Sequence, residues 1–443
     1  MPNPPLDNLL QPMISKLLLI LLISTSPLLA ADIKVSSAAD IAAALAGAKP
    51  GDTLVMFDGT LIDQAILFKA TGTADKPITL RAQTPGKVIL SGKSSLKFDG
   101  QYLLVSGLYF KDGEGAGDCI TLGGQHNRLT DCALVAGQYK FFVHFFGANN
   151  RMDHCYLAEK TSGDPTLQIE VAEKEPNNHL LDHNHFGHRP PLGRNGGETI
   201  RCGYSFQSMF SSKTTVENNL FERCDGEIEI ISSKSCDNIY RNNTFLDCAG
   251  FLTLRHGNRC TVDGNFFLGK GKKGSGGIRV IGEDHTVTNN YIADVADGVF
   301  RITSGIVDSP LNGYFQAKRC TIANNIVVDC KGAYLEIDAG IGTSRRTLRP
   351  ENITIKGNTF LVSPQGASLL KGTEGEGWKW MDNLYFSPHP EAEHPGLRHI
   401  DPPRLKKVDG ILWPEGFEAN RSPLTAKDVG LSWSDGLVRV TPP

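Results

Sequence analysis

The segment Cys224-Asp225-Gly226-Glu227-Ile228-Glu229-Ile230-Ile231-Ser232-Ser233-Lys234 sets two carboxylates two residues apart, with a lysine five residues after the second. Arg255 and His256 follow, Arg255 lying 21 residues beyond Lys234. Alternate residues of a strand share a face. Glu227 and Glu229 are therefore expected on one solvent face, with Ile228 and Ile230 turned inward. A lysine becomes a base when burial and nearby cations depress its pKa, whereas an arginine stays charged. Paired glutamates are hard oxygen donors of the kind calcium takes. Elimination across C4–C5 of a uronate needs all three functions: a base for the C5 proton, a cation on the carboxylate, and support for the departing oxygen. The same residues also permit a salt-bridged surface, two-carboxylate hydrolysis or polysaccharide binding without turnover.

For these groups to meet, residues 20 to 30 apart must lie side by side, and a repeat supplies the means. The tripeptide Asn-x-apolar begins at Asn184, Asn219, Asn243, Asn265, Asn290, Asn325, Asn358 and Asn383, at intervals of 35, 24, 22, 25, 35, 33 and 25 residues. A base period near 24 with insertions predicts a solenoid whose loops grow on one side. Runs such as Ile78-Thr79-Leu80, Leu103-Leu104-Val105 and Phe251-Leu252-Thr253-Leu254 are too short for helices and are bounded by Gly, Asn, Asp and Ser. The expected fold is all-β: a single right-handed parallel β-helix. Cys224 and Cys248, and likewise Cys236 and Cys260, are 24 apart. Both pairs are expected to stack on successive coils as buried thiols, with disulfides also sterically open. The same offset carries position 231 onto Arg255. The asparagines are expected to form bend-stabilising ladders without a catalytic role.

Ser36 to Ala48 reads as a short helix capping the N-terminal end of the solenoid. Residues 32–390 are expected to form the β-helix and 391–443, Pro-rich and without the repeat, an extension covering it. Lys16, the apolar run Leu17–Ile23 and the small pair Ala30-Ala31 have the order of a secretory signal peptide over 1–31. That run is too short to span a membrane and no cysteine follows it to carry a lipid. Secretion or export to a bacterial periplasm is expected, without a membrane anchor, for a chain acting as a monomer. Net charge is −3 with 21% charged residues, which speaks against a nucleic-acid partner. An acidic polysaccharide would have to meet positive charge concentrated in a groove.

The Cys224–Lys234 stretch, Leu254-Arg255-His256-Gly257-Asn258 and Asn195-Gly196-Gly197-Glu198-Thr199-Ile200-Arg201 resemble the signature segments of polysaccharide lyase family 6, which contains alginate lyases and chondroitinase B. Pro50-Gly51-Asp52-Thr53-Leu54, Pro77–Ala82 and Gly107-Leu108-Tyr109-Phe110 extend the resemblance over most of the chain. It implies Lys234 as base and Arg255 as acid or leaving-group stabiliser. It further implies Asn195, Glu227 and Glu229 as calcium ligands, and Arg201 and His256 as linings of the sugar subsites. Alginate is the expected substrate, with dermatan sulfate the alternative; Arg345, Arg346 and Arg349 would supply extra positive charge for a sulfated chain, and an exposed loop explains them equally well.

Overall fold

The computed structural model describes residues 31–388, 394–408, 411–416, 421–433 and 437. The expected leader 1–31 lies outside these residues except for Ala31. The chain winds as a right-handed parallel β-helix of three long sheets. Sheet I has 14 strands starting at Asp32–Val35, sheet II has 14 starting at Gly59–Ile62, and sheet III has 12 starting at Ala65–Thr71. Each coil contributes one short strand to each sheet, so pairing within the three sheets is parallel and between successive coils. Helix α1 (Ala38–Leu45) covers the first coil; the Ser37 hydroxyl accepts from the Asp40 amide at its N-cap, and Ile41 is its buried residue.

The turns explain why the repeat is written in asparagine. Each ladder Asn follows a residue whose φ lies between 53° and 70°: His183, Asn218, Asn242, Gly264, Asn289, Asn324, Gly357 and Asp382. Glycine, asparagine and aspartate tolerate this left-handed conformation best. The Asn side chain then bonds from coil to coil. Asn265 Oδ1 accepts from both the backbone N and the Nδ2 of Asn243, at 2.9 and 3.0 Å. Two residues further on, Phe186, Phe221, Phe245 and Phe267 stack face to face in the interior at 4.8, 4.7 and 4.5 Å. Buried amides satisfy one another while apolar rings fill the core, so the period is held by both hydrogen bonding and packing.

The uniform 24-residue offset does not hold. Sheet III pairs Ile231 with Leu252 and Ser233 with Leu254, an offset of 21, and irregularities follow Glu229 and Ser233. Lys234 is opposite His256, and Arg255 falls in the bulge between paired positions. Cys224 does stack on Cys248, its amide 3.3 Å from the Cys248 sulfur. Cys236 instead accepts from the amide of Asn258, because sheet I advances by 22 here, pairing Ile239 with Thr261. All ten cysteines are free and buried. Ile228 is exposed, not inward, because the strand begins only at Glu229 and Glu227–Ile228 belong to the preceding bend. Glu229, expected in solvent, is buried.

Insertions into the coils enter at the two corners flanking sheet III. Residues 187–199 lie between sheets II and III, and 203–214, 304–316 and 340–349 between sheets III and I. They make two walls with sheet III as the floor between them. The coil strand Leu397–His399 still pairs with Asn383–Phe386. Beyond it the described C-terminal residues lie on the outside of sheet II. Trp413 packs against Phe266 and Tyr291, and Trp433 against Tyr109.

Candidate active site

The floor is a column of register-matched, outward side chains on sheet III: Gln168, Arg201, Ser232, Thr253, Arg279, Arg301 and Glu336. Ser232 and Thr253 are short, so the middle of the column is a depression between long cationic neighbours. Glu198, Glu227 and Glu229 stand where the chain enters sheet III; Lys234, Arg255 and His256 stand where it leaves. The two catalytic candidates and the two acidic ones therefore do meet, although through a different register from the one the cysteines suggest.

The three carboxylates offer oxygens all within 4.8 Å of one another. Their approach depends on Gly197 and Gly226, which precede Glu198 and Glu227 and stack so closely that a Cβ on either would collide with the other's backbone carbonyl. Buried Glu198 Oε2 and Glu227 Oε1 have no hydrogen-bond partner among the described residues. Burial, reinforced by the charges of Glu198 and Glu229, raises the Glu227 pKa to about 8. Partnerless buried oxygens in an all-carboxylate set are the signature of a place that fits a hard cation. Asn195 lies exposed in the bend three residues before Glu198.

Most of the cations are arranged around this cluster at distances longer than a hydrogen bond. Lys234 Nζ and Arg201 Nη1 each stand 3.9 Å from Glu198 Oε1, and Arg255 Nε is 3.9 Å from Glu229 Oε1. Arg279 makes the one close pair, 3.1 Å from Glu229 Oε1. Burial lowers the Lys234 pKa, Arg201 and Arg255 push the same way, and Glu198 and Glu229 oppose them. Burial also lowers that of Arg255, although a guanidinium starts high enough to remain charged. Arg255 is fixed by a 2.8 Å bond to the Gly313 carbonyl and lies over the ring of Tyr314, whose centroid is also 4.4 Å from Arg346.

His256 is buried, with Nε2 3.3 Å from the Ser205 hydroxyl and its ring edge-on to Phe315. Burial, then Arg255 and Lys234, lower its pKa to about 2, so the imidazole is neutral. Arg201 donates to Gln168 and covers Tyr204. Sequence reasoning passed over Glu198, although it stands in the Gly-Gly-Glu segment beside Asn195. It also missed Arg279, whose signal is its place one coil after Thr253. Arg346 sits beside Arg255 because its strand Arg346–Leu348 pairs antiparallel with Gly305–Ile306, whereas Arg349 turns to Asp338 at 3.5 Å.

The chondroitinase B family model matches residues 35–385. Among solved structures, the PL6 family alginate lyase AlyGC is 36% identical with a TM-score of 0.86, over 91% of this chain and 59% of that one. This chain thus spans about three-fifths of that relative's length. A mannuronic acid specific polysaccharide lyase family 6 enzyme from human gut microbiota is 32% identical over 84% of this chain and 91% of its own, with a TM-score of 0.75. A PL6 family polysaccharide lyase from Pseudopedobacter saltans is 29% identical over 91% of this chain and 100% of its own, with a TM-score of 0.76. No curated protein sequence matches. With a shared fold, a family match across most of the coils and signature residues gathered on one face, the chain belongs to polysaccharide lyase family 6, the family of chondroitinase B.

Proposed function

We propose that the protein is an exported lyase that cleaves alginate by β-elimination. The observation that carries this reading is the joint placement of Lys234 and Arg255 beside a three-carboxylate cluster, on a face where burial weakens the lysine's hold on its proton. Neutral Lys234 takes the C5 proton of a uronate. The electron pair left on C5 is delocalised into the carboxylate, then forms the C4–C5 double bond as the C4–O bond breaks. Arg255 stabilises the departing oxygen, which takes a proton from water, and Lys234 releases its proton to water to restore the neutral amine. Glu198, Glu227 and Glu229, with Asn195 as a further donor, would hold calcium, which when bound supplies positive charge to the uronate carboxylate. Arg201 and Arg279 hold neighbouring sugar carboxylates, and His256, neutral and packed on Phe315, shapes the floor at the leaving side.

Alginate is favoured by the named activities of the relatives at 36% and 32% identity. Arg279, Arg301 and Arg346 along one groove suit a sulfated chain as well, so dermatan sulfate is the second reading. The deciding experiment incubates the protein with polymannuronate, polyguluronate and dermatan sulfate, with and without a chelator, and follows ultraviolet absorbance of the new double bond. Absorbance from alginate blocks supports the reading. Chain shortening without absorbance would mean hydrolysis, and absorbance from dermatan sulfate alone would reassign the substrate.

A further inference from the structure

Lys160 is a fully buried lysine with no carboxylate at ion-pair distance among the described residues, Asp164 acting on it only from further off. Its ammonium is enclosed by oxygens of its own loop: the Ser162 carbonyl at 3.1 Å, the Ser162 hydroxyl at 2.9 Å, the Asp164 carbonyl at 3.0 Å and the Gly163 carbonyl. Arg189, also buried, reinforces the same turn by donating to the carbonyls of Lys160, Ser162 and Asp164. Four oxygens converging on one positive centre is how a loop folds around a metal ion; here the chain provides the cation itself. Burial of both charges is unfavourable and pulls the Lys160 pKa down to about 7; the donors of the ammonium are all satisfied, whereas the buried Arg189 Nε has no partner among the described residues.

This turn is tied to the acidic cluster on both coils that build it. Thr166, where the turn ends, donates its amide to the carbonyl of Glu198 at 2.9 Å. On the next coil the Arg189 carbonyl accepts from the Asp225 amide and the Leu192 amide donates to the Gly226 carbonyl, both at 2.9 Å. The Arg189 stem lies against Gly226, where an added Cβ would come within 2.8 Å of Arg189 Cγ. The turn thus abuts the backbone that carries Glu198 and the backbone that carries Glu227.

We infer that Lys160, with Arg189, is a positioning pin: its ammonium replaces a structural metal ion in the 160–164 turn and holds Glu198 and Glu227 in cation-binding register. The inference rests on the proposed function for its activity readout but not for its structural one. Lys160→Met keeps the length of the stem and removes the charge. It is expected to weaken calcium binding, measured by titration calorimetry, and to lower kcat on polymannuronate. Both effects should fall between about 10- and 100-fold, the range for supporting residues one shell from a ligand, while KM changes by less than about threefold. Hydrogen exchange at the Thr166 amide should accelerate while that at Val287, far along the solenoid, does not. Ser162→Ala removes one oxygen from the cage and should shift calcium affinity and Thr166 exchange in the same direction by a few-fold.

Calcium affinity, kcat and Thr166 exchange all at wild-type values in Lys160→Met would overturn the pin. Should Lys160→Met fail to fold, unchanged affinity and exchange in Ser162→Ala would overturn it instead. Absence of unsaturated product from the wild-type protein would defeat the lyase reading alone, because affinity and exchange still decide the pin.

Discussion

Sheets I and III carry the same charged residue types on their outer faces, yet the two faces are built on opposite electrostatic rules. On sheet I and its corner most arginines meet an acid one coil away in a close, usually two-pronged pair. Arg128 reaches Asp153, Arg151 reaches Asp182 and Arg259 reaches Asp237, each with Nε 2.7 Å from a carboxylate oxygen. Hydrogen bonding to these acids raises the pKa of all three arginines. At the acidic cluster on sheet III three of the ion pairs stand open at 3.9 Å, two carboxylate oxygens have no partner among the described residues, and burial lowers the pKa of Lys234 and Arg255. Matched charges hold a solenoid together and cancel; charges left unmatched in a buried groove retain the capacity to act on a substrate.

The sharpest way to break this contrast is to remove single charges from each face. Lys234→Ala is expected to lower kcat on alginate by at least about 10³-fold, the scale of a lost general base in a preorganised site, while the variant still binds polymer. Arg255→Ala should act comparably. Initial rates and a polymer-retention assay check both; turnover of Lys234→Ala close to wild type would leave the sheet III face without its base. Glu227→Gln, or chelation of the wild-type protein, comes next. Either should lower activity at least as much as loss of a supporting residue, about 10- to 100-fold or more, with added calcium restoring the chelated enzyme and not the variant.

Acid tests the framework separately from the site. His179 and His285 occupy the inner bend between sheets III and I, their Nδ1 atoms accepting from the amides of Asn150 and Cys260. Asn238 fills the equivalent place by accepting from Thr214. Burial lowers the histidine pKa values from 6.5 to about 3 and about 4. The unfolded chain therefore takes up protons from pH 6.5 downward while the folded chain resists them. The histidines' contribution to stability is level above 6.5 and falls as pH drops towards 4, by roughly 2 kcal/mol per histidine between pH 6.5 and 5. Denaturant titrations across that range should show the slope, and His285→Asn, which supplies the oxygen that Asn238 supplies, should reduce it. A slope unchanged in the variant would mean that other groups set the acid limit. Asn265→Ala belongs to the same framework. It strands the buried amide of Asn243 and should cost about 1–3 kcal/mol, with kcat of the folded protein unchanged.

What the sequence discloses about this molecule depends on how far each feature is local. The asparagine ladder is legible because its period, its left-handed neighbours and its apolar partners all lie within a few residues of one another. The meeting of Lys234 and Arg255 is legible too, since both leave sheet III at the same corner. The route to it is not: the offset differs between sheets, 21 in sheet III against 22 in sheet I beside it, and one cysteine spacing cannot report both. Glu198 escaped because its acid partners lie a coil away and the signal is two glycines whose backbones must touch. Lys160 escaped because nothing in Ala158-Glu159-Lys160 tells that carbonyls 162 to 164 will turn back on its ammonium.

The smallest expected effect is also the one on which the comparison depends. Arg241 on sheet I is half-exposed and pairs with Glu217 across one coil. Ion pairs of this exposure contribute about 1 kcal/mol or less once screening and side-chain entropy are counted. Arg241→Ala should therefore lower stability by no more than about 1 kcal/mol and leave kcat within about twofold of wild type. Raised salt should weaken the wild-type protein's advantage over the variant, because an exposed pair is screened. If Arg241→Ala instead reduced turnover as Arg255→Ala does, the charges of sheet I would reach the substrate. The pairing that separates a supporting face from a working one would then have lost its meaning.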